Sequence, residues 1–241
     1  MEKLEKIYEG KAKIIYNTND PNLLIQYFKD DATAFNAQKK AIISNKGILN
    51  NKISEIIMLK IATHNIPCHF VKKINDREQL IKKLSIIPLE IIIRNIAAGS
   101  MSKRLGIEEG KELTNPIFEI CYKNDALQDP LINDDHAIEV LQIVDYKQLQ
   151  LIKSYAFKIN QIISELFLKA NLLLVDFKIE FGFDQNHDII LADEISPDSC
   201  RLWDANTKQK FDKDLFRHDL GDLVLGYEEV LRRIAITPIP T

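Results

Sequence analysis

The chain has 241 residues, of which 46% are hydrophobic and 28% charged, the composition of an ordinary globular protein with room for one large domain or two modest ones. A net charge of −3 gives no bulk reason to bind nucleic acid, although a local basic patch could still hold a small phosphate. Three widely spaced cysteines, Cys68, Cys121 and Cys200, with no C-x-x-C, argue against a disulfide framework or a zinc site and favour a reducing cytoplasm.

The opening "MEKLEKIYEG" is charged and lacks the apolar run of a signal peptide. "KIYEGKAKIIYNTND" reads as two short strands around Gly10, closed by a turn at Asn19-Asp20-Pro21, and another strand follows from Leu23 to Phe28. Leu49, Ile53, Ile56, Ile57 and Lys60 recur at helical spacing, predicting a helix from about Ile48 to His64. "IPCHFVKKI" reads as a strand, "DREQLIKKL" as a short helix and "PLEIIIRN" as a strand. Apolar runs such as "IIPLEIII" are too short and interrupted to span a bilayer, so no membrane contact is expected.

In "GSMSKRLG", Ser100 reads as the N-cap of a short helix. "NPIFEICYKND" is a strand, and an aspartate-rich connection, "DALQDPLINDDHAIEV", follows it. Leu149, Ile152, Ala156, Ile159, Ile163 and Leu166 predict a helix over Tyr146 to Asn171, capped by Asp145. "VDFKIEF" and "DIILADEI" form a β-hairpin, "SPDSCRLWD" a loop and "GDLVLGYEEVLRRIAI" a last helix. The class is α+β, with a lobe boundary expected near Pro88, dividing residues 1–88 from 89–241.

Strict alternation in "VDFKIEF" puts Val175, Phe177, Ile179 and Phe181 on one face and Asp176, Lys178 and Glu180 on the other. A four-residue loop, Gln185 to Asp188, sets Glu180 directly opposite Asp193, with Cβ atoms about 5 Å apart. Two carboxylates so close repel unless a cation joins them or one is protonated, and an all-oxygen pair suits Mg²⁺ with substrate phosphates. Lys178 could instead neutralise one of them, and a solvated face of mixed charge explains the same pattern. A loop of odd length weakens the pairing.

Lys11 and Lys13 in "EGKAK" share a strand face and could reach one polyphosphate, or could simply be solvated edge lysines. Arg94 and Arg104 flank the Ser100 turn, where a phosphate or carboxylate could sit; routine capping with surface arginines is the alternative. Asp193, Glu194, Asp198, Arg201 and Asp204 crowd the loop after the hairpin. No P-loop, dinucleotide fingerprint, H-E-x-x-H or G-x-S-x-G occurs.

"PLEIIIRNIAAGS", "LVDFKIEFG", "YEGKAKIIY", "LNNKIS", "KRLGIEEGKEL", "DEISPDSCRLWD" and "FRHDLG" stand in the order seen in one family. Through them essentially the whole chain resembles the phosphoribosylaminoimidazole-succinocarboxamide synthase, or SAICAR synthetase, family. The resemblance implies a kinase-like N-terminal lobe, a larger α+β lobe and ATP in the cleft between them. It implies an ATP- and Mg²⁺-dependent ligase of purine biosynthesis that joins L-aspartate to the carboxylate of carboxyaminoimidazole ribonucleotide, commonly as a homodimer.

By the same resemblance Lys11 and Lys13 lie near the ATP phosphates, and the segment from Ile86 to Glu90 on the adenine side. Glu180 and Asp193 hold Mg²⁺. Arg94, Ser100, Arg201 and, more weakly, Arg104 lie near the ribonucleotide, with Asp198 beside them. Asp176 and Lys178 face the reaction centre with Lys13. "TAFNA" departs from the family's S-A-[FYG]-D, since Asn36 replaces a carboxylate. A small-molecule kinase is the nearest alternative but predicts an H-R-D-x-x-x-x-N loop, which is absent. A non-catalytic nucleotide-binding module would tolerate loss of the acidic pair.

Overall fold

The computed structural model describes residues 1–34 and 39–236. The chain begins with β1 (Lys3–Glu9), β2 (Lys13–Thr18) and β3 (Leu23–Phe28), then a small hairpin of β4 (Asp31–Ala34) and β5 (Lys39–Ile42). Helix α1 (Lys46–Ala62) follows, then β6 (Phe70–Lys73) and β7 (Glu78–Lys82). These make an antiparallel sheet in the order β1-β2-β3-β7-β6. Part of "DREQLIKKL" is therefore strand β7 and not a helix. Leu80 and Ile81 are both buried, and β7 is paired on both edges, by β3 and β6. Two-sided pairing with burial overrides a weak helical spacing.

The second half runs β8 (Ser85–Ile96), α2 (Ser100–Leu105), β9 (Glu112–Tyr122), β10 (Leu131–Ile132), α3 (Tyr146–Lys169), β11 (Leu172–Phe183), β12 (Ile189–Ala192) and β13 (Cys200–Asp204), then α4 (Asp214–Arg217) and α5 (Leu223–Ile236). Its sheet has the order β10-β9-β8-β11-β12, and β13 pairs with the first half of β11. Residue 88 falls inside β8, so the change from one sheet to the next comes earlier, at Lys83–Leu84. The expected loop "SPDSCRLWD" ends in β13, and the aspartate-rich connection contains a π-helical turn, His136–Val140.

Helix α3 starts as its sequence requires: the Asp145 carboxylate accepts from the Gln148 amide, and the Gln148 side chain accepts in return from the Asp145 amide, each at 2.8 Å. Its stripe from Leu149 to Leu166 joins one buried cluster with Phe177, Ile179 and Phe181 of β11. Each such side chain contributes about 1.5–3 kcal/mol by leaving water. Ile53, Ile57 and Ile61 of α1 and Phe70 of β6 belong to the same cluster, so one core runs beneath both sheets.

Val175 breaks the expected alternation. It packs with Ile96, Ala98 and Trp203 in a separate cluster and not with Phe177. Between Leu174 and Asp176 the register against β13 slips by one residue, a β-bulge that turns Val175 and Asp176 out of step. Bulges re-aim side chains in this way and recur beside functional sites.

Candidate active site

Past the bulge, β11 sends Phe177, Ile179 and Phe181 into the core and Asp176, Lys178 and Glu180 to the other face. Strand β8 answers position by position: Arg94 lies opposite Asp176, Ile92 opposite Lys178, and Glu90 opposite Glu180. The outer strand β9 adds Glu119 opposite Ile92 and Cys121 opposite Glu90. A charged ladder therefore crosses three strands.

One end of the ladder is a guanidinium cluster. Arg94 is 2% exposed, yet it reaches Asp176 at 2.7 Å, Glu119 at 2.7 Å and the Ser100 Oγ at 3.1 Å. Arg201 on β13 reaches Asp176 at 2.8 Å and Asp214 at 3.0 Å. Burial works against the Arg201 charge, but Asp176 and Asp214 outweigh it and hold its pKa raised. Arg104 enters through Glu119, which it also binds. Asp176, buried between two arginines, orients both. Ser100 is the first residue of α2, whose cap is Gly99 at φ 57, so it does not serve as the N-cap. A Cβ at Gly99 would collide with the Arg201 guanidinium.

The other end holds lysines and carboxylates. Lys178 pairs with Glu90 and Lys123 with Glu180. The loop between β11 and β12 is Asp184–Asp188, five residues, and Glu180 faces Ala192. The expected Glu180–Asp193 rung is thus displaced by one position, and the carboxylate directly across from Glu180 is Glu90. A one-residue slip would reverse every face along a regular strand. Asp193 escapes that rule because β12 has already ended and its backbone is left-handed, φ 63. Its carboxylate pairs with Lys13 of β2, as does that of Glu194. Lys11 lies in the bend before β2 and lies 3.5 Å from Asp125. The two N-terminal lysines therefore have different partners and share no strand face. Ile86, in β8 opposite Gly182, is 49% exposed.

Burial pushes the Lys13 ammonium down to about 7, against the pull of Glu180. Burial likewise pushes Asp193 up to about 7. Nearby His69 is driven down to about 3, by burial first and by the Lys13 charge second, and is neutral at physiological pH. Asp198 has its carboxylate committed within the fold: Lys46 lies at 2.5 Å, the Asn50 amide donates at 2.9 Å and the Tyr227 hydroxyl at 2.8 Å. It ties the loop to α1 and α5. Burial favours protonation of Asp198, but Lys46 and Lys213 hold it well below the usual carboxylate range.

Sequence reasoning passed over Glu119, Lys123, Lys46 and His69. Only the cross-strand register reveals Glu119, only the ion pair with Glu180 reveals Lys123, and only burial distinguishes Lys46 and His69. Among the described residues no three acidic, histidine or cysteine side chains form a metal cage. Glu180 and Asp193 are hard oxygen donors, however, and two carboxylates completed by phosphate oxygens are the usual demand of Mg²⁺. Asn36 lies outside the described residues. No helix among them is long and apolar enough to cross a membrane.

The sheet therefore carries a guanidinium cluster at one end of β11 and a lysine–carboxylate cluster at the other, an arrangement with the chemistry to hold anionic groups. A family model for SAICAR synthetase matches residues 6–234. The phosphoribosylaminoimidazole-succinocarboxamide synthase of Clostridium botulinum is 54% identical over 98% of this chain and 100% of its own. The crystal structure of that synthase from Ehrlichia chaffeensis superposes with a TM-score of 0.94 at 50% identity, covering 97% of this chain and all of the other. A SAICAR synthetase in complex with ADP superposes at 0.93 with 47% identity, over 97% and 99% of the two chains. The chain belongs to the SAICAR synthetase family, and it is an enzyme, a ligase of purine biosynthesis.

Proposed function

We propose that this chain joins L-aspartate to the carboxylate of carboxyaminoimidazole ribonucleotide, consuming ATP and releasing ADP and phosphate, as a cytoplasmic homodimer. The observation that carries the reading is β11 itself. Its one polar face bears a guanidinium end at Asp176 and a lysine–carboxylate end at Glu180, four residues or about 13 Å apart. A ribonucleotide phosphate at Arg94, Ser100 and Arg201, with Arg104 behind Glu119, leaves the imidazole carboxylate directed toward Lys178. The ADP bound to a relative of the same fold supports nucleotide binding; in this reading the nucleotide occupies the cleft between the β2 and β8 sheets, with Ile86 on the adenine side.

A carboxylate cannot accept an amine directly, because oxide is too poor a leaving group. A substrate carboxylate oxygen therefore attacks the γ-phosphorus of ATP, the bond to the β–γ bridging oxygen breaks, and ADP leaves. The acyl phosphate that results is attacked by the aspartate amine. The carbon–nitrogen bond forms as the carbon–oxygen bond breaks, phosphate departs, and the amine proton passes to solvent or to phosphate. Glu180 and Asp193 would hold Mg²⁺, which when bound neutralises charge on the phosphate oxygens. Lys13 and Lys178 contribute by position and charge, the main requirements of phosphoryl transfer. Lys11, on the bend before β2, has to release Asp125 to reach the same phosphates.

ADP formation measured with each substrate omitted in turn tests the proposal. Turnover should require the carboxylated ribonucleotide, and the succinocarboxamide product should require L-aspartate. Rapid phosphorylation of an unrelated hydroxyl compound would overturn it. Sedimentation equilibrium of the purified protein should return twice the chain mass of 27.8 kDa.

A further inference from the structure

Arg94 is held from both of the strands that flank β8. On β11 the Asp176 carboxylate accepts from its Nη1 at 2.7 Å, and on β9 the Glu119 carboxylate accepts from its Nε at 2.7 Å. The position of β9 directly opposite Arg94 is Ile117, so Glu119 meets it diagonally, two residues along the same face. The Ala98 carbonyl accepts a second Nη1 hydrogen at 3.5 Å, and the Ser100 Oγ accepts from Nη2 at 3.1 Å. A guanidinium has five N–H groups, and these contacts use four of them. The fifth, on Nη2 beside Ser100, has no acceptor among the described residues. The other Glu119 oxygen accepts from Arg104, in the last turn of α2, the helix that Ser100 opens.

We propose that Glu119 is a positioning residue for the ribonucleotide: its two oxygens, one on Arg94 and one on Arg104, fix the Arg94 plane and the start of α2 so that the open Nη2 edge and the Ser100 hydroxyl meet the same phosphate. The inference rests on the reading of Arg94, Ser100 and Arg201 as the phosphate-holding residues. One carboxylate on Nη1 leaves a guanidinium free to swing about that contact. A second carboxylate on Nε, from the opposite neighbouring strand, removes that freedom and leaves only the Nη2 edge to face a ligand. Glu119 does the same for α2 through Arg104, which is 36% exposed and has its one ion pair here among the described residues. Without the Glu119 charge the buried Nε–H of Arg94 loses its acceptor, and α2 loses its tie to β9.

Glu119→Gln keeps the size and removes the charge. Its amide has one oxygen, so it can accept from one arginine and must turn an N–H toward the other. The KM for the carboxylated ribonucleotide should rise about 10-fold, the scale of one charge-assisted hydrogen bond. The kcat at saturating ribonucleotide should stay within about threefold and the KM for ATP within about twofold, as expected where binding and not chemistry is lost. A side chain that only fills space predicts no change, because Gln fills the same space. Circular dichroism identifies the variants that fold. Should Glu119→Gln not fold, Glu119→Asp decides: it keeps the charge but is one methylene short of spanning both arginines, so the ribonucleotide KM should rise about threefold or more. A wild-type ribonucleotide KM in the folded variant overturns the proposal, and so do equal increases in both KM values. Arg201→Lys, which keeps the charge and loses the planar fork, tests the reading beneath it. A wild-type ribonucleotide KM in that variant overturns the assignment of the phosphate to this cluster.

Discussion

Lys13 stands at the point where the two sheets meet, with Asp193 and Glu194 on it; burial lowers its pKa, and Glu180 is close enough to oppose that lowering. Glu180 is itself paired with Lys123, a lysine about one-third exposed, whose loss of partner water can relieve in part. Removing the Glu180 or Asp193 charge should therefore leave the fold intact while removing a ligand. Glu180→Gln and Asp193→Asn are each expected to lower kcat by about 100-fold at saturating ATP and Mg²⁺, the scale of losing one electrostatic stabiliser. Unfolding free energies should change by no more than about 1 kcal/mol. Turnover within twofold of wild type would reduce the pair to a solvated charged face. Residue type singles out both carboxylates. Their spacing misplaces the pair, because the hairpin loop is one residue longer than the four expected and Asp193 lies beyond the last strand pair.

At the scale of elements, the alternation of β11 was legible from Phe177 to Phe181 and failed at Val175, where a bulge changes the phase. Nothing in "LLLVDF" marks that bulge, since apolar residues suit either face there. β7 failed for a related reason: Leu80 and Ile81 are buried on opposite sides of a strand that is paired on both edges, which adjacent positions of a chain cannot announce. The capped helix α3, whose signal is local, was read to within two residues at its end. The turn from β8 into α2 is where an element controls the guanidinium cluster. Gly99 has φ 57, and a Cβ there would run into the Arg201 guanidinium. Gly99→Ala forces both an alanine into a positive-φ region that glycine alone occupies readily, at about 2 kcal/mol, and a shift of Arg201. The expected result is a KM for the carboxylated ribonucleotide raised about 10-fold, with the KM for ATP within twofold and the melting temperature lower by roughly 2–8 °C. Equal increases in both KM values would show instead that the substitution loosens the whole cleft.

Across the whole molecule, the two sheets are joined by the shared core and by a buried polar knot. Lys46 opens α1, Asp198 lies in the loop after β12, and Tyr227 comes from α5, so one carboxylate ties three distant segments. Lys46 is fully buried, and cutting a buried pair strands a charge at about 3–5 kcal/mol. The sign of the pH dependence follows from Asp198, whose folded pKa lies below its ordinary value of 3.8 because Lys46 and Lys213 outweigh burial. A carboxyl depressed by folding contributes stability that is fully present above its unfolded pKa and disappears as pH falls through the folded one. Asp198→Asn should therefore destabilise the enzyme by a constant amount, about 3 kcal/mol or more, from pH 8 to pH 5. Below about pH 4 wild type should lose stability faster than the variant, and the gap should close. Urea midpoints measured every half unit from pH 8 to pH 3 give the curve. A gap that stays constant through pH 3 would mean that the Asn variant suffers from packing alone, and that Lys46 draws its compensation from another group.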